Sequence, residues 1–249
     1  MFQLIKIELI KSINENRNNL FRLLIAMAGN LAIIVFLYYT LFNNNGVIGG
    51  ETKYIIAYYS ILWLLLSALT YTNNVIVNES KIGTIEQLLV SPFGIIQILI
   101  SKIAIQILKT TLILALIISL VNLYFLGKID FDVASFIIVV SIGMLSIFGV
   151  GIILASFSLI SKEVNALTAF LRLLLLFLLY KFDNNIFIPF SFTKSIIIDI
   201  LVNKGGLAYY HYKYILSFAV NSLSYFIVGL IVFAVFERIS VRTGKILGY

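Results

Sequence analysis

The sequence has no cysteine, one histidine and two prolines in 249 residues. Without cysteine there is no disulfide, no thiolate nucleophile and no zinc–thiolate site. The single histidine, His211, excludes a multi-histidine metal centre. Charge is equally scarce, with 12% Asp, Glu, Lys and Arg against 61% apolar residues. Soluble domains average about 25% charged and about 45–50% apolar residues. A soluble domain of this length cannot hide so much apolar surface, which leaves an integral membrane protein as the expected class. Catalytic patterns are missing too. There is no His-Glu-x-x-His, no serine in a Gly-x-Ser-x-Gly elbow and no Gly-x-x-x-x-Gly-Lys-Ser/Thr phosphate loop; Gly244 and Lys245 lack the preceding glycine turn. No catalytic residue, metal site or cofactor site is therefore expected in this chain, and the net charge of +7 calls for no nucleic acid. Lys and Arg gather in the cytoplasmic loops of membrane proteins and set their orientation.

What is present is a succession of long apolar runs. A spanning helix needs roughly 20 apolar residues. Runs at 20–42, 54–77, 103–126, 133–160, 166–180 and 214–236 predict six spans; the fifth is short and interrupted by Arg172. The expected fold is all-α, a single membrane domain over 1–249. Both termini then lie on one side. Lys6, Lys11, Arg17, Arg22, Lys81, Lys102, Lys162, Arg238, Arg242 and Lys245 fall on that side. The other side has Lys53, Lys128, Lys181, Lys194, Lys204 and Lys213, mixed with Asp130, Asp132, Asp183 and Asp199. The bias places both termini in the cytoplasm. Heavy use of Ile, Asn and Lys points to an AT-rich bacterial source, and so to a bacterial cytoplasmic membrane. A cleavable signal peptide is not expected, because Lys6, Glu8, Lys11, Glu15 and Arg17 precede any long apolar core.

Two further segments belong to the membrane boundary. Residues 1–19 read as an amphipathic interface helix with Phe2, Ile5, Leu9 and Ile13 on one face, a pattern that Leu4 and Ile7 interrupt. Residues 182–213 form the largest outside segment. Its apolar runs 186–190 and 196–202 are too short to span, so a re-entrant segment between spans five and six is expected. Tyr209, Tyr210, Tyr212 and Tyr214 read as an interfacial belt before the last span. No internal repeat is visible, which weighs against a secondary transporter.

Between spans two and three lies a charged island, residues 78–92. Glu79 and Ser80 stand where a helix could begin with acidic groups at its positive end. Gly83 permits a sharp bend, Thr84 is an N-cap candidate and Gln87 completes a capping box. Leu88 and Leu89 supply an apolar face, and Pro92 stops the helix. Such a short helix with an apolar knob and flanking charges suits docking into a groove of another protein.

The run Gly83-Thr84-Ile85-Glu86-Gln87-Leu88-Leu89-Val90-Ser91-Pro92, preceded by Glu79 and Lys81, resembles the signature loop of the type 2 permease subunits of ATP-binding cassette transporters. In outline the resemblance covers the whole chain. It implies that Glu79, Gly83, Thr84, Glu86, Gln87, Leu88 and Leu89 form a coupling helix against a separate nucleotide-binding ATPase subunit, which would carry the ATP and magnesium. It implies that Lys162 and Glu163 make a second, smaller contact, and that a second permease subunit, identical or not, completes the pathway. The chain departs from the family around the fifth span, where 171–180 is leucine-rich and basic instead of proline-rich.

Within the spans, Arg172 and Lys109 are the candidate pathway residues. A central arginine costs about 2.5–3.5 kcal/mol on insertion scales and so faces protein, water or, by snorkelling, the interface. Lys109 shares a helix face with Lys102 and reads equally as a snorkelling group or a vestibule lining. Asn73, Asn74 and Asn122 are candidate interhelical hydrogen-bonders, and Gly143, Gly149, Gly151 and Ala155 give the fourth span a small-residue face for close packing. The leading expectation is the permease of an exporter for an amphipathic substrate: a small or antimicrobial peptide, a hydrophobic drug, or a lipid or lipid-linked glycan. A membrane scaffold or sensor recruiting a soluble partner is the alternative. A proton-coupled carrier is less favoured, because every Asp and Glu falls outside the predicted spans.

Overall fold

The structure, a computed structural model, describes residues 2–42, 50–82, 93–124, 131–158, 164–203 and 205–242. Among them the chain is all-helical, with no strand. The helices are α1 (Phe2–Asn18), α2 (Leu20–Phe42), α3 (Gly50–Ile82), α4 (Ile95–Tyr124), α5 (Val133–Ser158), α6 (Val164–Lys181), α7 (Ser191–Val202) and α8 (Tyr212–Arg242), with a 3-10 turn at Leu207–Tyr209 before α8. Isoleucine-rich runs such as α4 would favour strands in water. In an apolar solvent each backbone N–H and C=O must be paired internally, and a helix does this without a partner. Four described helices are long and apolar enough to cross a membrane: Lys53–Thr72 within α3, Ile95–Leu123, Val133–Phe157 and Tyr212–Arg242. The runs expected at 20–42 and 166–180 also form helices, α2 and α6.

Several helix limits differ from the expected ones. Helix α3 continues without a break through Asn78 to Ile82, so Glu79 lies in a helix's last turns and not at the start of a new one. Helix α4 begins at Ile95, which places Lys102 inside a helix and not in a loop. Helix α8 runs to Arg242 and takes in Glu237, a carboxylate that the expected limit of 236 excluded. In each case a charged group near the end of an apolar run ended the expected span. Backbone hydrogen bonding carries on past it, because the long side chain can reach away from the apolar zone.

Helix α5 is the hub, touching α3, α4, α6, α7 and α8, with its most extensive packing on α8 and then α3. Three of its glycines each admit a different neighbour. A Cβ at Gly143 would overlap the Thr193 side chain on α7, one at Gly149 the Tyr225 backbone on α8, and one at Gly151 the Thr72 hydroxyl on α3. Gly229 of α8 faces the Gly149 carbonyl in turn. The small residues expected to pack the fourth span are therefore where α5 meets α3 and α7 through threonine side chains and α8 backbone to backbone, the close approach by which helices associate in lipid. Further along, Phe157 meets Phe236 edge to face, centroids 5.0 Å apart. Residue numbers rise together on both helices, so α5 and α8 run parallel.

Helix α1 packs on α4 and α2. The residue it buries is Leu4, whereas Leu9 and Ile13 of the expected face are exposed together with Ile7 and Ile10. The face expected to be apolar points away from the bundle, and the residue that broke the pattern is the anchor.

Candidate functional site

One end of the bundle is built from polar contacts that tie the 182–211 segment to the helices. Asp132 caps α5: its Oδ1 accepts the Ala134 N–H at 3.0 Å and its Oδ2 accepts the Ser135 hydroxyl at 2.5 Å. The Ser135 oxygen in turn accepts the Leu207 N–H at 3.1 Å, so the cap reaches 72 residues along the chain. The Ser135 hydroxyl first, and then the Ser135 and Ala134 amides, hold the Asp132 carboxyl below the usual carboxylate range. A carboxyl depressed on folding contributes stability above its unfolded pKa and loses it as pH falls through the folded value. Asp132→Ala should therefore lower the Tm in detergent at neutral pH, with the gap narrowing below about pH 4. A gap that is constant with pH would show that the charge is not what holds the cap.

Asp199 of α7 accepts the Tyr210 hydroxyl and, at 2.8 Å, the Asn203 amide. Its backbone carbonyl takes the N–H groups of Asn203 and Gly205 at 3.0 and 3.1 Å, closing the end of α7. Burial first, and then the bond to Asp199, push the Tyr210 phenol up, so it remains a donor. Tyr210 stacks on Tyr214, centroids 5.0 Å apart, while Tyr209 and Tyr212 are exposed. Half of the expected aromatic belt is thus structural. Lys53, near the start of α3, reaches the Val202 carbonyl at 3.4 Å.

Lys194 is 3% exposed, and its ammonium donates to the Leu179 carbonyl at 2.5 Å and to Asp183 at 2.6 Å. Leu179 O is one of the last carbonyls of α6, where a helix end lacks partners and carries partial negative charge. A lysine that counted as a loop charge in the sequence is therefore the cap of a neighbouring helix. Asp183 remains 67% exposed, so the pair is only half desolvated. Phe190, fully buried, opens α7 at φ 68° and no side chain caps that helix. A left-handed phenylalanine is strained and is held by its surroundings.

Further contacts come from α8. The Asn221 amide donates to the carbonyls of Ile186 and Ile188 at 2.8 and 3.3 Å, and the Tyr225 hydroxyl donates to the Phe187 carbonyl at 2.7 Å. Two side chains one helical turn apart thus satisfy three successive carbonyls of an irregular segment. At 1.5 Å per residue, Asn221 and Tyr225 lie about 14 and about 20 Å along α8 from Tyr212. Asn221 was not singled out by the sequence reading, although an amide within the last apolar run is the signal that could have found it. On α2, Asn30 accepts the Tyr59 hydroxyl and donates to the Ala26 carbonyl at 2.7 Å. Of the asparagines expected in this role, Asn74 is exposed.

Of the coupling residues expected from sequence, one lies within the described helices. Glu79 lies in the last turns of α3. Gly83, Thr84, Glu86, Gln87, Leu88 and Leu89 lie outside the described residues, as do Lys162 and Glu163. The helix ends that bracket both groups can still be placed. Lys53, Asp132 and Leu179 belong to the end that meets the 182–211 segment. Hence the α3 end and α4 start, which flank 83–92, and the α5 end and α6 start, which flank 159–163, share the other end with the last turns of α8. The Tyr71 hydroxyl bonds the Lys102 carbonyl at 3.4 Å, linking the two helices on either side of the first group. Lys109 is half-buried on α4, and Arg172 falls midway along α6. Among the described residues no cluster of His, Cys, Asp and Glu could hold a metal ion.

Family models, curated proteins and solved structures were each compared with the chain, and none matches. The class defined by the fold is a helical, membrane-type protein with several apolar helices long enough to cross a bilayer.

Proposed function

We propose that this chain is the permease subunit of an ATP-driven exporter of the ATP-binding cassette type, with six spans and both termini in the cytoplasm of a bacterial cell. The observation that carries the reading is the common end shared by the helix termini that flank 83–92 and 159–163. A separate ATPase docked there would touch both segments at once, as a coupling interface requires. The island at 83–92 has the composition of a docking helix, with Glu86 and Gln87 beside Leu88 and Leu89.

The 182–211 segment supports an outer gate. Its helix α7 is 12 residues long, too short to span, yet eight of those residues are buried. The irregular carbonyls at 186–188 are paired by α8 well inside an apolar run, where unpaired backbone is not tolerated. On this reading it is a re-entrant plug at the outer mouth. ATP binding would draw two ATPase subunits together, move the docked islands and shift the bundle, and the plug would yield. An amphipathic cargo, first a small peptide or hydrophobic drug, suits walls as apolar as these. Helix α1, with Leu9, Ile10 and Ile13 exposed beside Lys6 and Arg17, would lie along the inner lipid surface.

The test is co-purification with the candidate ATPase and measurement of coupled ATP hydrolysis in vesicles. Glu86→Arg with Leu88→Asp should cut binding and coupled hydrolysis at least tenfold while leaving the detergent-solubilised chain folded. Full binding by that variant refutes the coupling role. Binding without any ATP-dependent transport would favour a recruiting scaffold.

A further inference from the structure

Four buried side-chain oxygens or hydroxyls in the described bundle have no hydrogen-bond partner, and three of them belong to one neighbourhood: Thr193 Oγ1, Ser222 Oγ and Asn221 Oδ1. Their residues are 0%, 0% and 1% exposed. Thr193, in the first turn of α7, rests on Gly143 of α5. Ser222 is buried on α8 and stands two turns from Gly229, on the same side of the helix, and Gly229 faces the Gly149 carbonyl of α5. The parallel register fixed by Gly149 against Tyr225 and Phe157 against Phe236 sets Ser222, one turn earlier, beside the Gly143–Ser146 turn. Asn221 joins from the other side. Its amide bonds the Ile188 carbonyl, which also accepts the Ser191 N–H that opens α7. The Ser146 hydroxyl is already engaged with the Gly143 carbonyl at 2.8 Å, so it does not compete for the other three.

Buried polar atoms are almost always paired, and a cluster of them left over marks a place where a small polar guest completes the set. A guest needs two to four polar partners and about one probe sphere of room, which is what a water requires. An ion is not favoured, because all three groups are neutral and a bare charge among them would carry a heavy desolvation cost. We propose that the junction of α5, α7 and α8 is an internal hydration site. Water there bridges Thr193 Oγ1, Ser222 Oγ and Asn221 Oδ1. Gly143 is part of the site, since the missing Cβ is what lets Thr193 come against α5. The water is structural in the first place. It also gives the first turn of α7 exchangeable hydrogen bonds toward α5 and α8, so that the 182–190 segment can shift without stranding a dry oxygen. The site does not depend on the transport reading, and a failure of either leaves the other standing.

The test measures Ser222→Ala in three backgrounds by thermal unfolding of the full chain in detergent: parent, Thr193→Val and Thr193→Ser. If the two hydroxyls share a water, Ser222→Ala should lower Tm by about 2–6 °C in the parent and in the Thr193→Ser background, and by less than half as much in Thr193→Val. An equal loss in all three backgrounds, or a rise in Tm with Thr193→Val alone, overturns the proposal, since removing a dry, unpaired hydroxyl is favourable. If a variant does not fold, an experimental structure of the parent that resolves ordered waters decides the matter. Density within hydrogen-bond reach of at least two of the three oxygens supports the site, and a dry junction refutes it.

Discussion

Gly149→Val should abolish the folded chain. A Cβ at Gly149 would run into the Tyr225 backbone carbonyl, and one at Gly229 would run into the Gly149 carbonyl. Neither obstacle is a side chain that can rotate away, so the two helices have to separate. Overpacking of a core costs about 1–3 kcal/mol where side chains can yield. Here backbone must move along the most extensive helix pair of the fold, and the loss exceeds that range. Gly149→Ala should lower Tm by more than about 5 °C, and Gly149→Val should leave no monodisperse peak in size-exclusion chromatography. Gly143→Ala and Gly151→Ala are the internal controls. Each meets the side chain of a threonine, Thr193 or Thr72, which can turn or be shortened. Both should be milder, and Gly151→Ala should cost less in a Thr72→Ala background, which removes the hydroxyl that the new methyl meets. If Gly143→Ala is as damaging as Gly149→Ala, the backbone contact is not the cause.

The glycine face shows which parts of this fold the sequence made legible. Gly143, Gly149 and Gly151 could be read as a packing face because nothing else favours glycine within a charge-free apolar run. The partner of each glycine could not be read, since that depends on how α3, α7 and α8 are arranged around α5. Helix existence was legible for the same solvent reason: an apolar run of this length has few alternatives to a helix. Helix limits were less so. The charges of Glu79, Lys102 and Glu237 mark the edges of apolar runs, yet all three stand within helices, because a polar side chain ends an apolar zone without ending a hydrogen-bond ladder.

At the candidate site the contrast is sharper. In the sequence Lys194 and Asp132 are no more than charges on one side of the membrane. In the structure one caps the end of α6 and the other caps the start of α5. Capping across a chain separation is a matter of position in space, and no local pattern encodes it. Leu4 was misread for a related reason. A helix that meets both lipid and protein has two apolar faces, so a pattern judged by one face counts the anchor as an error.

Asn221→Leu should release the segment that closes one end of the bundle. The replacement is apolar and close in size, so packing along α8 is kept while two donors are lost. The Ile188 carbonyl retains the Ser191 N–H at 3.4 Å, whereas the Ile186 carbonyl keeps no other described partner. Leaving that one backbone carbonyl unpaired costs about 1–3 kcal/mol, or about 2–12 °C in Tm. Tyr225→Phe removes one donor from the Phe187 carbonyl and should cost less. The double variant should fall short of the sum of the two, because both side chains hold one segment. The absence of native cysteine allows a direct reading of the movement. Ile188 is buried, so a lone thiol from Ile188→Cys should react slowly with a polar maleimide in the parent and at least tenfold faster when combined with Asn221→Leu. Equal labelling rates would mean that the strained backbone around Phe190 and the Lys194 cap hold the segment by themselves. Faster labelling would identify α8 as the element that holds the 186–190 segment in place. In a transporter that is the element a distant engine has to move, and α8 is also the helix whose last turns lie at the end where the engine would dock.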